Sequence, residues 1–283
     1  TEIYTLSLHD ALPIFGRAPS GGERMKLEMC DVFFAYRNGQ QPVIRDINLV
    51  LEEPGLYCVV GPNGVGKSTM IKCMNRIVKP TSGNVYINDV DIQDMRLREI
   101  AEHIGYVPVK SQDVFSMPVL DAILLGRQRQ NRWRTNGRDL EIATRVMRMM
   151  GIEELSMRGV SELSAGQHQK VAICRGLVQE SELLILDEPT ANLDVQHQVY
   201  VTELLRGMAI QEHMIVVMIS HDLNIAAKYA HKIIVMEHGT IVQIGEPSDV
   251  ITEDMISRLY NVECRVELDG GRPHVVLGSV ISI

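Results

Sequence analysis

Residues 61–68 read GPNGVGKS, and this octapeptide restricts the fold more than any other part of the 283-residue chain. It matches the pattern G-x-x-x-x-G-K-[ST], in which a glycine-rich loop joins a β-strand to an α-helix. The context agrees, because an apolar run at 56–60 precedes the loop and a helical pattern at 67–78 follows it. The sequence therefore predicts a loop, here called the P-loop, whose backbone N–H groups wrap a phosphate chain at a helix N-terminus.

Each position of the P-loop has a chemical reason. The glycines bring the backbone close to phosphate with no Cβ in the way. Lys67 is expected to reach the β- and γ-phosphates of a nucleotide, and the Ser68 hydroxyl to ligate Mg²⁺. The P-loop alone fits kinases, GTPases and motor ATPases equally well. A glycine-rich turn without a ligand is the alternative, and the flanking strand and helix make it the weaker one. The predicted nucleotide contacts are Gly61, Pro62, Asn63, Gly64, Val65, Gly66, Lys67, Ser68 and Thr69.

Two later strands end in side chains that suit phosphate chemistry. The run LLILDE places Asp187 and Glu188 after a buried strand, where α/β sheets bind their ligands. We expect Asp187 to hold Mg²⁺, directly or through water, and Glu188 to orient and deprotonate the attacking water. His221 follows the buried run at 214–220, and its predicted partner is a γ-phosphate or Glu188. The alternatives are ordinary loop carboxylates and a structural histidine.

The order of the elements indicates an α/β fold. Strand patterns at 27–36 and 43–51 flank a turn and predict an N-terminal antiparallel β subdomain. Residues 97–180 are mostly helical in pattern. After residue 181, strands alternate with helices, which predicts a P-loop core with a mainly parallel sheet, closed by a hairpin around 237–239.

Composition excludes several classes of protein. The net charge of -8 gives no global basic field, so we expect no nucleic-acid partner. The five cysteines are odd in number and lack metal-ligand spacing, which indicates buried thiols in a reducing cytosol. No apolar run is long enough to span a bilayer. Residues 1–14 resemble a translated sequencing adapter and lead into a linker-like Gly/Ser/Arg run. We expect residues 1–24 to be a non-native or disordered leader, an assembly artefact, with the natural start at Met25.

The stretch LSAGQ at 163–167 predicts a capped helix N-terminus that an anion can approach. Ser164 and Gln167 form the capping-box pattern. Ala165 and Gly166 between them keep side chains small, so that an anion can approach the free N–H groups of the helix N-terminus.

In order and spacing, GPNGVGKST, LSAGQ, LLILDEP, ANLD and ISHD are similar to the motifs of the ATP-binding cassette (ABC) ATPases. The resemblance covers the chain from about Met25 onward. It implies an ATPase domain over 25–260, with a helical subdomain at about 97–180 that carries LSAGQ, and a C-terminal extension over 261–283. It also implies a head-to-tail dimer that binds two ATP molecules at its interface.

The resemblance also assigns residues. Tyr36 is similar to the aromatic residue that stacks on adenine. Asn192 and Asp194 are similar to the loop that signals across the dimer. The signature residues implied to face the ATP of the other subunit are Ser164, Ala165, Gly166 and Gln167. A strand-end aromatic at position 36 and a helix N-cap at ANLD are the alternatives.

One position departs from the family. The family usually has a glutamine that contacts Mg²⁺ or water at the end of the strand before the helical subdomain. Here that strand reads YVPV at 106–109, so Val109 takes the place of the glutamine, and Gln112 is the nearest replacement. The departure leaves open a subunit that binds ATP but hydrolyses it poorly, although Ser68 and Asp187 remain for the metal.

Within the family, residues 116–127 and 260–277 resemble importer subunits for iron–siderophore, haem or cobalamin. This resemblance implies a second copy of the chain and a membrane permease as partners, a substrate-binding protein as an indirect one, and a place on the cytoplasmic face of the membrane. The arginine-rich stretch 122–139, which includes Trp133, is either a solvated face or a docking surface. The alternative function is a soluble nucleotide-gated module on nucleic acid or ribosomes. The single cassette, the lack of heptads and the acidic charge disfavour it.

Overall fold

The computed structural model describes residues 25–37, 41–109, 117–127 and 136–281. The expectations for residues 1–24, Gln112 and Trp133 therefore lie outside the described residues. In the described ranges the strands are β1 (Leu27–Phe34), β2 (Ile44–Leu51), β3 (Gly55–Val60), β4 (Ser82–Ile87), β5 (Val90–Asp91), β6 (Ile104–Val107), β7 (Leu183–Leu186), β8 (Ile215–Ile219), β9 (Lys232–Glu237), β10 (Thr240–Gly245), β11 (Val262–Asp269) and β12 (Arg272–Val280).

The α-helices of the same ranges alternate with these strands. They are α1 (Lys67–Met74), α2 (Leu97–His103), α3 (Val119–Leu124), α4 (Gly137–Met149), α5 (Ala165–Leu177), α6 (Val195–Gln211), α7 (Leu223–Tyr229), α8 (Pro247–Val250) and α9 (Glu253–Tyr260). None of the described helices is both long and apolar enough to cross a bilayer.

A six-stranded sheet forms the centre of the molecule, in the order β10-β9-β3-β8-β7-β6. All its pairings are parallel except that of β9 with β10. Every residue of β3, β7 and β8 is buried, because helices or a second sheet cover both faces. The three strands are neighbours and run in the same direction, so their carboxyl ends meet at one edge of the sheet. The predicted mainly parallel core is confirmed.

A second, four-stranded sheet has the order β2-β1-β4-β5 and is antiparallel throughout. It is the N-terminal β subdomain that the sequence predicted. It packs, together with α1, against one face of the central sheet.

Alternation along β3 divides the core into two layers. Tyr57 and Val59 join the layer under the antiparallel sheet, whereas Leu56, Cys58 and Val60 join the layer under the helices. This is the two-residue period of a strand, and it ties both layers to the strand that leads into the P-loop. All five cysteines are free thiols, and three of them are buried.

Helices α3, α4 and α5 pack on one another and form the helical lobe that carries LSAGQ. A buried arginine joins its parts. Arg127 donates from Nε to Asp139 at 2.9 Å and from Nη1 to Glu180 at 2.5 Å and to the Val178 carbonyl at 2.8 Å. The ion pair therefore connects the chain after α3 to the first turn of α4 and to the segment after α5.

Several boundaries differ from the sequence expectation. The helical range 97–180 includes β6, which pairs with β7 and belongs to the central sheet. Helix α1 ends at Met74, before the expected residue 78, because Arg76 adopts a left-handed backbone with φ 55°. The C-terminal extension is a hairpin of β11 and β12 that packs on α7 and α9.

Candidate functional site

The P-loop follows β3 and leads into α1. Gly61 has φ 147°, and a Cβ there would lie 2.3 Å from the carbonyl oxygen of Met236. Gly66 caps the N-terminus of α1 with a left-handed φ of 103°. Both positions need glycine, since a side chain would clash or strain the backbone. The loop thus offers N–H groups beside a helix N-terminus, which suits a phosphate chain.

Lys67 lies against the loop. Its side chain is 6% exposed, and its Nζ donates to the carbonyl oxygens of Gly61 at 2.7 Å and Pro62 at 2.8 Å. Burial lowers the pKa of this ammonium, and the nearby carboxylates Glu188 and Asp187 oppose that shift. The ammonium is therefore held at the loop by two carbonyl groups.

Ser68 and Asp187 meet although 119 residues separate them. The Ser68 hydroxyl donates to Asp187 Oδ1 at 3.0 Å. The N–H of Asp187 donates to the Val107 carbonyl at 2.8 Å, which fixes the residue beyond the end of β7. Asp187 is 3% exposed, and burial raises its pKa, against the hydrogen bond from Ser68. A hydroxyl and a buried carboxylate make an oxygen donor set that fits Mg²⁺.

Glu188 and His221 form the next pair. His221 donates from Nε2 to Glu188 Oε1 at 2.6 Å. This contact is one of the two partners that the sequence predicted for His221. Glu188 also has a left-handed backbone with φ 50°, which is uncommon outside glycine and asparagine. Such a backbone costs about 1–3 kcal/mol and recurs at functional sites.

A cavity of about 800 Å³ opens beside this pair. Its polar wall includes Glu188 and His221, and its apolar wall includes Leu223, Tyr260 and Leu277. Tyr260 stands at the end of α9, and Leu277 belongs to β12. The C-terminal segment therefore contributes to the surroundings of the predicted catalytic carboxylate.

Tyr36 lies at the edge of the P-loop. Its ring is 60% exposed and meets Phe34 edge-on, with 5.0 Å between the ring centroids. Its hydroxyl lies 3.2 Å from the Thr69 hydroxyl, on the first turn of α1. The structure therefore brings an exposed aromatic ring next to the first turn of α1, which follows the P-loop.

The signature forms a complete capping box. The Gln167 N–H donates to Ser164 Oγ at 3.3 Å, and the Ser164 N–H donates to Gln167 Oε1 at 3.0 Å. Ala165 is exposed at the start of α5. A Cβ on Gly166 would come within 3.2 Å of the Asn192 carbonyl oxygen, so the signature packs against the ANLD loop of its own chain.

The ANLD loop leads into α6. Asp194 is the N-cap of α6 and accepts from the His197 N–H at 2.8 Å. The N-cap alternative for this loop is thus present, and Asn192 is exposed beside it. Val109 is partly buried after the end of β6, where an alkyl side chain provides no metal ligand.

Sequence reasoning missed two features of the site. The left-handed backbone of Glu188 has no signal in the letters LLILDE. The contact of the C-terminal hairpin with α7 also leaves no local pattern, because its partners are 51 residues apart.

Comparison with known proteins gives consistent matches. Residues 44–191 match the family described as ABC transporter. An ABC transporter ATP-binding protein of Methanocaldococcus jannaschii is 36% identical over 252 residues, which cover 89% of this chain and 98% of that protein. The iron(3+)-hydroxamate import ATP-binding protein FhuC of Bacillus subtilis is 31% identical over 233 residues, covering 82% and 87%.

Among solved structures, the dimeric structure of a bacterial ABC transporter cassette has a TM-score of 0.69 and 26% identity, and covers 78% of this chain and 98% of that one. The fold, the ordered motifs and these relatives agree: the chain belongs to the ABC transporter family and is one of its ATP-hydrolysing subunits.

Proposed function

We propose that the chain powers a membrane importer for a metal chelate such as an iron–siderophore, haem or cobalamin. The family makes the chain an ATPase, and the import of a chelate is the further step. Its support is the resemblance of residues 116–127 and 260–277 to importer subunits, together with the similarity to a hydroxamate import protein.

The observation that carries the hydrolytic role is the pairing of Glu188 with His221 at the edge that also holds the P-loop. Glu188 takes a proton from the water that attacks the γ-phosphate, and His221 holds the carboxylate in place through Nε2. Lys67 neutralises charge that develops on the phosphate oxygens. Ser68 and Asp187 would hold Mg²⁺, which supplies further charge neutralisation on the phosphates.

The signature and the ANLD loop serve the dimer in this proposal. The N-terminus of α5 presents Ser164, Ala165 and Gly166 to the ATP that a second copy of the chain binds. Since the arrangement is two-fold symmetric, both sites are alike. Asn192, packed against Gly166, carries the state of one site toward the other, with Asp194 fixing the loop on α6.

Membrane partners complete the proposal. The chain sits on the cytoplasmic face of the membrane, bound to a permease that receives chelate from a substrate-binding protein. The test is co-purification with the permease encoded beside this chain, followed by ATPase assays in proteoliposomes. We expect loaded binding protein to stimulate hydrolysis several-fold over empty binding protein. Equal rates with both forms, or no association with any neighbouring permease, would contradict import and favour a nucleotide-gated module outside transport.

A further inference from the structure

Asn224, the second residue of α7, is bound to the C-terminal hairpin by two hydrogen bonds. Its Nδ2 donates to the Val275 carbonyl at 3.1 Å, and its Oδ1 accepts from the Val275 N–H at 2.7 Å. The carboxamide thus imitates one rung of a β-ladder against β12. Both ends of the amide are satisfied, which fixes its position more narrowly than a single hydrogen bond does.

The same segment carries His221. Asp222 caps α7 by accepting from the N–H groups of Asn224 at 2.8 Å and Ile225 at 3.0 Å. The Ser220 hydroxyl donates to the Asp222 carbonyl at 3.0 Å. His221 stands between these two anchored residues, so its backbone follows the first turn of α7. Asn224 holds that first turn in place through its two hydrogen bonds to Val275 of the hairpin.

The hairpin is itself anchored to the body of the protein. Arg272 donates from Nη1 to the Ala230 carbonyl at 2.9 Å, at the far end of α7. The Val266 N–H donates to Glu253 Oε1 at 3.0 Å, on α9. Val275 is buried and lines the cavity that Glu188 and His221 also line. The hairpin that binds Asn224 is therefore itself hydrogen-bonded to the far end of α7 and to α9.

We propose that Asn224 is a positioning residue for ATP hydrolysis, through which β12 sets the place of His221 against Glu188. The path begins at Val275, which binds Asn224. It continues through the first turn of α7 to His221. It ends at the hydrogen bond from His221 Nε2 to Glu188 Oε1 at 2.6 Å. The inference rests on the hydrolytic roles given to Glu188 and His221 above. In this proposal the C-terminal hairpin supports hydrolysis by holding the segment that carries His221.

The test is Asn224→Ala in the full chain, assayed with Mg-ATP. We expect kcat to fall about ten- to a hundredfold, since displacements near 1 Å have effects of that size. KM for ATP should change less than about twofold, because the hydrogen bonds of Asn224 described above join it to Asp222 and Val275 and involve neither the P-loop nor Tyr36. The matched control is Tyr229→Phe at the other end of α7, which removes a 3.2 Å hydrogen bond to Glu203 and should retain the wild-type kcat. An equal loss of kcat in Tyr229→Phe would show that both changes act through the stability of α7, and it would contradict the positioning role of Asn224.

A double-mutant cycle with His221→Ala decides whether the effect passes through the histidine. Single-turnover hydrolysis, followed for hours, resolves the slow variants. Asn224→Ala should lower the rate in the wild-type background and have little effect when His221 is already alanine. The same fold-loss in both backgrounds overturns the proposal. A wild-type rate for His221→Ala alone would instead overturn the role given to His221.

Thermal melts show whether each variant is folded. Should Asn224→Ala fail to fold, Asn224→Asp retains an acceptor for the Val275 N–H and sets a carboxylate oxygen against the Val275 carbonyl oxygen in place of the donor. Because those two oxygens repel each other, we expect kcat to fall with KM for ATP unchanged. Wild-type kcat in either variant, once it is shown to be folded, would overturn the proposal.

Discussion

The Ser68 hydroxyl donates to Asp187 Oδ1 at 3.0 Å and thereby joins the P-loop helix to the end of β7. Its two oxygen atoms are the ones that would hold Mg²⁺ in the proposed site. It also opposes the effect of burial on the pKa of Asp187. Removing the hydroxyl therefore changes both the ligand set and the charge of its partner.

Ser68→Ala should weaken Mg²⁺-dependent nucleotide binding. Residues that merely support metal ligands typically change metal affinity about 10- to 100-fold, so the loss of a ligand should raise the required Mg²⁺ concentration by at least about tenfold. The measurement is the Mg²⁺ concentration at half-maximal ATPase rate. Ser68→Thr, which keeps the hydroxyl, is the control and should stay near the wild type. Identical Mg²⁺ dependence in all three proteins would contradict a metal site at Ser68.

Glu188→Gln should bind ATP and fail to hydrolyse it. A neutral amide cannot accept the proton of the attacking water, so kcat should fall about 10²- to 10⁴-fold. Gel filtration with ATP should show a stable dimer for this variant. Lys67→Ala is the contrasting change, which should abolish ATP binding and leave a monomer. Hydrolysis at the wild-type rate by Glu188→Gln would show that another group is the base.

Tyr36→Ala should weaken ATP binding, because it removes the exposed ring beside the P-loop. Stacking of an aromatic side chain on a base is worth about 1–3 kcal/mol. Tyr36→Phe keeps the ring and loses only the contact with the Thr69 hydroxyl, so its affinity should remain close to that of the wild type. Fluorescent-nucleotide titration gives both dissociation constants. A loss of equal size in the two variants would point to the hydroxyl contact instead of the ring.

Arg127→Met should destabilise the helical lobe. The change leaves Asp139 and Glu180 buried without the guanidinium that bridges them, and such losses typically cost about 3–5 kcal/mol. Urea unfolding measures the difference. The control is Arg148→Met, since the pair of Arg148 with Glu153 is exposed and its removal should have little effect. Similar losses in the two variants would contradict a special role for the buried cluster.

His231 should make stability depend on pH. The Leu56 N–H donates to its Nδ1 at 2.9 Å, and burial lowers the pKa of the ring, with Arg206 and Arg272 adding to the effect. Below the ordinary pKa of about 6.5, the unfolded chain binds the proton more readily than the folded one. This contribution to stability is therefore complete above that pH and is lost as pH falls toward the lowered value.

His231→Asn isolates that effect, because its Oδ1 can accept the same N–H and does not titrate. Urea unfolding at pH 7.5 and at pH 5.5 gives the comparison. The wild type should lose more free energy of unfolding between the two conditions than the variant does. Equal losses would assign the pH dependence to other groups.

The central sheet was predictable because β3, β7 and β8 are short, continuously apolar runs that end at chemically distinctive residues. The carboxyl ends of parallel neighbours must meet, so Ser68, Asp187, Glu188 and His221 were expected to lie close together. Helix α1 ended early because of the backbone conformation at Arg76, which has no strong local pattern. The hydrogen bonds between Asn224 and Val275 could not be predicted from the sequence. They join distant segments, and on the Val275 side they use only backbone groups, which any residue other than proline would offer.

At position 188 the left-handed backbone favours a different residue from the glutamate that hydrolysis needs. Asparagine or glycine would adopt φ 50° at lower cost, and either would remove the base. Variants selected only for resistance to heat should therefore lose the glutamate and keep the fold. Enrichment of sequences without Glu188 in such a selection would show that this ATPase gives up stability in order to hydrolyse ATP.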